Sequence, residues 1–281
     1  MSTRALRAIS DLHVEVPENR RFVRSLAPVH ARDWLIVGGD VGETMADIER
    51  ALATLAERFE KVIWAPGNHE LWTCSADPVQ LRGDARYRHL VQHCRKLGIC
   101  TPEDDYPVWD GPGGPIVVAP LFILYDYSYG ANIAPTKRAS LQRAYQAGIV
   151  CTDELVLHSD PYASREQWCE MRVKLSEERL GALAASSMPS VLVNHYPLLA
   201  ELTQALFYPE FAQWCGTTAT SDWHSRFGAR AVVYGHLHIP RTTIHAGVRF
   251  EEVSLGYPRE WSRRGSAGPL PRCILPEGAT S

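Results

Sequence analysis

Five times along this chain a short apolar run stops at a cluster of carboxylate, amide or imidazole side chains. Leu6–Ser10 leads into Asp11-Leu12-His13, Trp34–Gly38 into Gly39-Asp40, and Val62–Pro66 into Gly67-Asn68-His69-Glu70. Further on, Ser190–Val193 leads into Asn194-His195, and Ala231–Tyr234 into Gly235-His236-Leu237-His238. Short runs of this kind, bounded by turn formers, read as buried strands. Between the second and third, Met45–Arg58 places Ile48, Leu52 and Leu55 on one helical face. Strands alternating with helices predict βαβ units and a layered α/β fold. Ligands of such a sheet bind at the carboxyl ends of its strands, where all five clusters fall.

The rest of the chain is less periodic. A helix is expected over Leu81–Leu97, a Pro/Gly/Asp-rich connector over Thr101–Pro115 and a strand over Ile116–Leu124. Tyr125–Pro161 lacks a clear period and reads as an insertion or lid over the site. More broadly, residues 72–161 are expected to face the substrate within a single domain spanning 1–281. Ser164–Ala185 reads as a helix opened by Ser164 with Gln167 three residues on, the spacing of a capping box. Thr242–Leu255 reads as a hairpin turning at Ala246-Gly247, and the Gly/Pro-rich tail from Gly265 as partly mobile.

Bulk properties remove several classes. A formal charge of -3 supplies no field for broad nucleic-acid binding. No apolar run reaches membrane-spanning length, and Met1–Ser10 has no secretory apolar region. Seven scattered cysteines without a CxxC pair argue against a disulfide framework, so thiols such as Cys74 and Cys151 read as buried. The expectation is a soluble cytoplasmic enzyme with a small phosphorylated substrate, no nucleic-acid partner and no membrane.

Oxygen and nitrogen donors without thiolates suit two divalent ions such as Mn, Fe or Zn. One carboxylate, Asp40, can bridge two cations about 3.5–4 Å apart. Such a pair would clamp phosphoryl oxygens and acidify a shared water, with no covalent enzyme intermediate.

Taken in order, Asp-x-His, Gly-Asp, Gly-Asn-His-Glu, His and Gly-His-x-His resemble the calcineurin-like metallophosphoesterase superfamily. The motifs run from Asp11 to His238. The resemblance implies that Asp11, His13 and His238 hold one metal, Asn68, His195 and His236 the second, and Asp40 both. It makes His69 a histidine that faces substrate and aids leaving-group departure, supported by Glu43 or by Glu70. The fold it implies is a four-layer α/β/β/α sandwich, two mixed β-sheets flanked by helices. The phosphoprotein phosphatase branch carries arginines where this chain has Val41-Gly42-Glu43-Thr44 and Leu71-Trp72, which turns the reading away from phosphoproteins. What remains resembles small bacterial-type cytosolic phosphoesterases.

No single motif carries this. Gly83-Asp84 repeats the Gly39-Asp40 dipeptide and is given no role. Tyr196, Tyr257 and Arg259 are candidate substrate contacts, Arg259 as a bidentate phosphate fork. Tyr125, Tyr127, Tyr129, Lys137 and Arg138 read equally as substrate contacts or as packing. The expected reaction is hydrolysis of a phosphomonoester of a small metabolite. The alternative is a phosphodiesterase acting on a cyclic nucleotide or other small diester. A non-catalytic scaffold with this fold would be expected to have lost a ligand, and none is missing.

Overall fold

The computed structural model describes residues 3–184, 188–262 and 270–278. Strand β1 (Leu6–Ile9) is followed by α1 (Pro17–Ser25), β2 (Trp34–Val37), α2 (Met45–Ala56), β3 (Lys61–Trp64) and α3 (Gly83–Lys96). Then come β4 (Val108–Trp109), β5 (Ile116–Pro120), α4 (Lys137–Gln146), α5 (Asp153–Val156), α6 (Arg165–Ala184) and β6 (Ser190–Val193). The remainder is α7 (Trp223–Arg226), β7 (Ala229–Tyr234), β8 (Arg241–His245), β9 (Val248–Glu252), α8 (Pro258–Trp261) and β10 (Arg272–Leu275).

Two mixed sheets result, in strand orders β10-β1-β2-β3 and β4-β5-β6-β7-β9-β8. The pairs β1/β2/β3 and β5/β6/β7/β9 are parallel, while β10, β4 and β8 join antiparallel at the edges. Side chains alternate across a strand, and here both alternations are apolar because both faces are covered. Leu6, Ile36 and Ile63 of one sheet meet Val118, Val191 and Val233 of the other in an inner core. The opposite faces, with Val37 and Trp64 on one sheet and Leu192 and Phe250 on the other, bury against the outer helices. Ile48, Leu52 and Leu55 of α2 are fully buried in that layer. The architecture is a four-layer α/β/β/α sandwich.

Local chemistry explains where elements begin and end. Thr44 caps α2 by accepting the Asp47 backbone N–H at 3.3 Å. Ser164 accepts from the Gln167 backbone, while the Gln167 side chain reaches back one residue beyond the usual box, to the Ala163 N–H. The strand expected over Ile116–Leu124 stops at Pro120, because the Asn194 side chain then takes over pairing, accepting from Ile123 N at 3.0 Å. Ala246 (φ 49) and Gly247 (φ 80) make the tight turn of the β8–β9 hairpin. The connector 101–115 contains the short strand β4, and α1 had no counterpart in the sequence reading, since Val23 is the one apolar residue it buries. In the tail, 265–269 and 279–281 lie outside the described residues, and Arg272–Leu275 is an ordered strand against β1. Among the described residues no helix is long and apolar enough to cross a membrane. Cys151 is buried, and Cys74 is half-buried.

Candidate metal centre

The loops after β1, β2, β3, β6 and β7 open at the same end of the sandwich. The two sheets meet there: Ser10 N donates to Val253 O at 3.1 Å and Leu255 N to Ser10 O at 2.8 Å. Asp11, His13, Asp40, Asn68, His69, His195 and His236 are buried, and His238 is half-buried. Five of these side chains sit on left-handed backbone: Asp11 (φ 54), His13 (φ 42), Asp40 (φ 54), His236 (φ 69) and His238 (φ 55). Non-glycine residues avoid that region, so its concentration here marks a backbone bent to aim side chains inward. Gly67 cannot carry a Cβ, which would collide with the Asp40 carboxylate and backbone.

Two donor clusters form. In the first, His238 Nε2 lies 3.1 Å from Asp11 Oδ1 and 3.2 Å from His13 Nε2. In the second, His195 Nε2 lies 3.2 Å from His236 Nδ1, 3.2 Å from Asn68 Oδ1 and 3.4 Å from Asp40 Oδ2. Within each triad, Asp11/His13/His238 and Asp40/His195/His236, one donor atom per residue falls within 4.8 Å of the others. Imidazole nitrogens facing each other at such range need a proton or a cation between them.

The electrostatics say the same. Burial acts to lower His195 and His238, yet Asp40 and Asp11 respectively push each up to about 10. Burial and the neighbouring His195 charge hold His236 down to about 3. Burial would raise Asp11 and Asp40, but the adjacent histidines hold both carboxyls below the usual range. The carboxylates thus make these positions favourable for positive charge, and a cation bound there would compete with protons. The donor set, all O and N, fits hard or borderline divalent ions.

Carboxylates that the sequence reading did not single out hold the outer sides of these rings. Glu260 Oε2 lies 2.8 Å from His238 Nδ1, and Glu15 Oε1 lies 3.5 Å from His13 Nδ1. His195 Nδ1 meets the Gly38 carbonyl at 2.9 Å. Two hydroxyls, Ser10 at 2.5 Å and Ser254 at 2.6 Å, donate to Asp11 Oδ2.

His69 Nε2 lies 3.7 Å from Asp40 Oδ2, and its Nδ1 lies 3.4 Å from Glu43 Oε1. Burial acts to lower its pKa, but Asp40 and Glu43 raise it overall. Trp72 packs on the ring with centroids 3.6 Å apart. Glu70, the other carboxylate considered as a support for His69, is placed elsewhere. It is fully buried beneath Asp40, accepting N–H groups from Asp40 (2.9 Å), Val41 (3.1 Å) and Gly67 (3.0 Å). Burial and the Asp40 charge push it up to about 7. Its work is to pin the loops after β2 and β3 together.

A groove of about 640 Å³ opens from the clusters, its floor including Asp40, Asn68, His69, His236 and His238. Tyr257 and Arg259 line it. Tyr257 also stacks on His13, with centroids 4.5 Å apart and planes at 14°. Tyr196 does not line it: the ring is buried behind His195 and His236. Tyr125, Tyr127 and Tyr129 are likewise buried packing, and Lys137 pairs with Glu166 on the flank. None of these four, nor Arg138, lines the groove, to which the segment 125–161 contributes Ile149–Thr152.

Comparison with known proteins accords with this arrangement. The calcineurin-like phosphoesterase family model matches residues 6–240. The chain is 52% identical over 270 residues to the [acyl-carrier-protein] phosphodiesterase PptH of Mycobacterium tuberculosis, covering 96% of this chain and 83% of that one. The crystal structure of a phosphopantetheinyl hydrolase (PptH) from Mycobacterium tuberculosis superposes with a TM-score of 0.94 at 50% identity, covering 98% and 97% of the two chains. The chain belongs to the calcineurin-like phosphoesterase family and is a metal-dependent hydrolase of phosphate esters.

Proposed function

We propose that this protein hydrolyses the phosphodiester joining a phosphopantetheinyl arm to an acyl carrier protein. The relative's activity and a groove built for more than a phosphate carry this reading. The small-metabolite monoester expected from the sequence gives way to the diester that stood as its alternative, and the small substrate to an arm borne by a protein. Above the polar floor the groove walls are apolar, formed by Ile149, Val150, Leu206, Phe207, Tyr208 and Ile239. Phe207 is 86% exposed and Val150 70% exposed. Solvent-facing apolar side chains beside a charged site suit a long, partly apolar arm better than a compact sugar phosphate.

Asp11, His13 and His238 would hold one cation, and Asn68, His195 and His236 the other, with Asp40 shared. Mn, Fe and Zn all suit these donors. Bound there, the cations supply Lewis acidity toward the phosphoryl group and a strong nucleophile from water at neutral pH. Arg259 lines the groove and would supply a guanidinium for a phosphoryl oxygen, the role left open by the missing family arginines. His69, whose pKa Asp40 and Glu43 raise against the opposing effect of burial, would donate its proton to the departing carrier oxygen. Water's oxygen ends on phosphorus and a proton on the carrier hydroxyl, so phosphopantetheine and the unmodified carrier are the products.

The test is to incubate the Mn-loaded enzyme with carrier protein bearing the arm and follow the carrier by intact-mass spectrometry. Loss of the phosphopantetheinyl mass is expected. In parallel, a diaryl phosphate should be cleaved faster than an aryl monoester. An unchanged carrier alongside rapid monoester turnover would reject the proposal.

A further inference from the structure

Asp153 is the first residue of α5 and is fully buried, yet it touches none of the five motifs in sequence. One of its oxygens, Oδ1, accepts two hydrogen bonds: from Asn68 Nδ2 at 3.0 Å and from Trp72 Nε1 at 2.6 Å. Its position is set from both sides. Arg165 donates to the Asp153 carbonyl at 3.0 Å, and Thr73 N donates to Val156 O at 2.9 Å. Trp72 and Leu157 form a further backbone bridge. The carboxylate is therefore a fixed abutment carried by the segment between β5 and α6.

From this geometry we infer that Asp153 is a positioning residue for both halves of the catalytic machinery. A carboxamide has two ends of nearly equal shape, and its neighbours decide which end points where. Asp153 Oδ1 accepts from Asn68 Nδ2, so it holds the NH₂ of Asn68 and turns the amide oxygen to the cluster, where Oδ1 faces His195 Nε2 at 3.2 Å. Through the same oxygen it anchors the Trp72 indole, whose ring lies against His69 at 3.6 Å. One buried carboxylate thereby aims a donor at the second cation and fixes the plate behind the proton donor. Outer-shell partners of metal ligands commonly govern affinity in this way.

The inference rests on Asn68 being a ligand of the second cation, and the experiment separates the two ideas. Metal-free full-length protein is titrated with MnCl₂ by calorimetry, with bound metal counted by elemental analysis. Asn68→Ala must itself weaken one of two sites; if it keeps both, the ligand set fails whatever Asp153 does. Asp153→Leu, branched at the same carbon though bulkier and without an acceptor, should keep one site at wild-type affinity and weaken the other by about 10–100-fold. Asp153→Asn retains an oxygen that can accept both hydrogen bonds and should bind both cations nearly as wild type does. Should the leucine variant not fold, Asp153→Ser, too short to reach the amide, is read in its place. Two undisturbed sites in the leucine variant would overturn the inference. So would equal weakening of both sites with a lowered thermal midpoint, or an asparagine variant as weak as the leucine one.

Discussion

The Glu260 carboxylate lies 2.8 Å from Nδ1 of His238, while Nε2 of the same ring lies 3.1 Å from Asp11 Oδ1. A carboxylate on Nδ1 keeps a proton there and leaves Nε2 free to donate its lone pair inward. Glu260 also accepts the Tyr257 N–H at 2.9 Å, which ties the ring's orientation to the start of α8. Glu260→Ala should therefore weaken cation binding at the proposed Asp11, His13 and His238 site by about 10–100-fold, and leave the other proposed site intact. Metal titration of the variant reads this directly, and two unaltered affinities would remove Glu260 from the account.

In the proposed reaction His69 contributes chemistry rather than metal binding. His69→Ala should retain two cations yet lose about 10²–10⁴-fold in kcat on a diester with an alkyl leaving group, the range for a lost general acid. On a nitrophenyl diester, whose leaving group departs without a proton, the loss should be far smaller. Equal losses on the two substrates would mean that His69 does not protonate the leaving oxygen.

Much of the site was legible because each motif combines unusual side chains with a strand end, and strand ends converge by topology. Asp11, Asp40, Asn68, His195 and His236 could be placed together for that reason. Glu260, Glu15 and Asp153 could not. Each is a single carboxylate in a segment with no period of its own, and only tertiary packing brings it to an imidazole or an amide. Glu70 shows the converse: the family resemblance offered it beside Glu43 as a support for His69, whereas the turn after β3 points it at the Asp40, Val41 and Gly67 N–H groups instead. The groove walls were hidden for a similar reason, since Ile149, Val150 and Phe207 read as ordinary apolar residues until two segments far apart in sequence are brought over the site.

Glu43 offers a pH test. The His69 pKa is raised, with burial opposing and Asp40 and Glu43 outweighing it. A proton donor with a raised pKa stays competent to higher pH, and the rate falls as pH rises through that value. Glu43→Gln removes one of the two carboxylates, lowers the His69 pKa and should move the alkaline limb of the kcat profile to lower pH. The limb is measured on the alkyl diester, where protonation matters. A limb that does not move would show that Glu43 leaves the His69 proton unaffected.

Arg86 is a stability prediction that also reaches the site. Its guanidinium is wholly buried and donates to the carbonyls of Glu70 (2.6 Å), Val79 (3.1 Å) and Glu43 (2.9 Å), and it pairs with Asp77 at 2.9 Å. Asp77 is itself buried and accepts the first N–H of α2, from Met45, at 3.0 Å. Arg86→Leu leaves the Asp77 charge in the core without its partner and should cost about 3–5 kcal/mol in urea unfolding. Arg86→Lys should not rescue it, since one ammonium has three donors and the site presents four acceptors. The double variant Arg86→Leu/Asp77→Asn removes the stranded charge and should recover part of the loss. If the double variant unfolds as early as Arg86→Leu alone, the cost lies in the three carbonyls rather than in the ion pair. In Arg86→Leu the Glu43 backbone loses this anchor, so the alkaline limb ascribed to His69 should shift in the same direction as in Glu43→Gln.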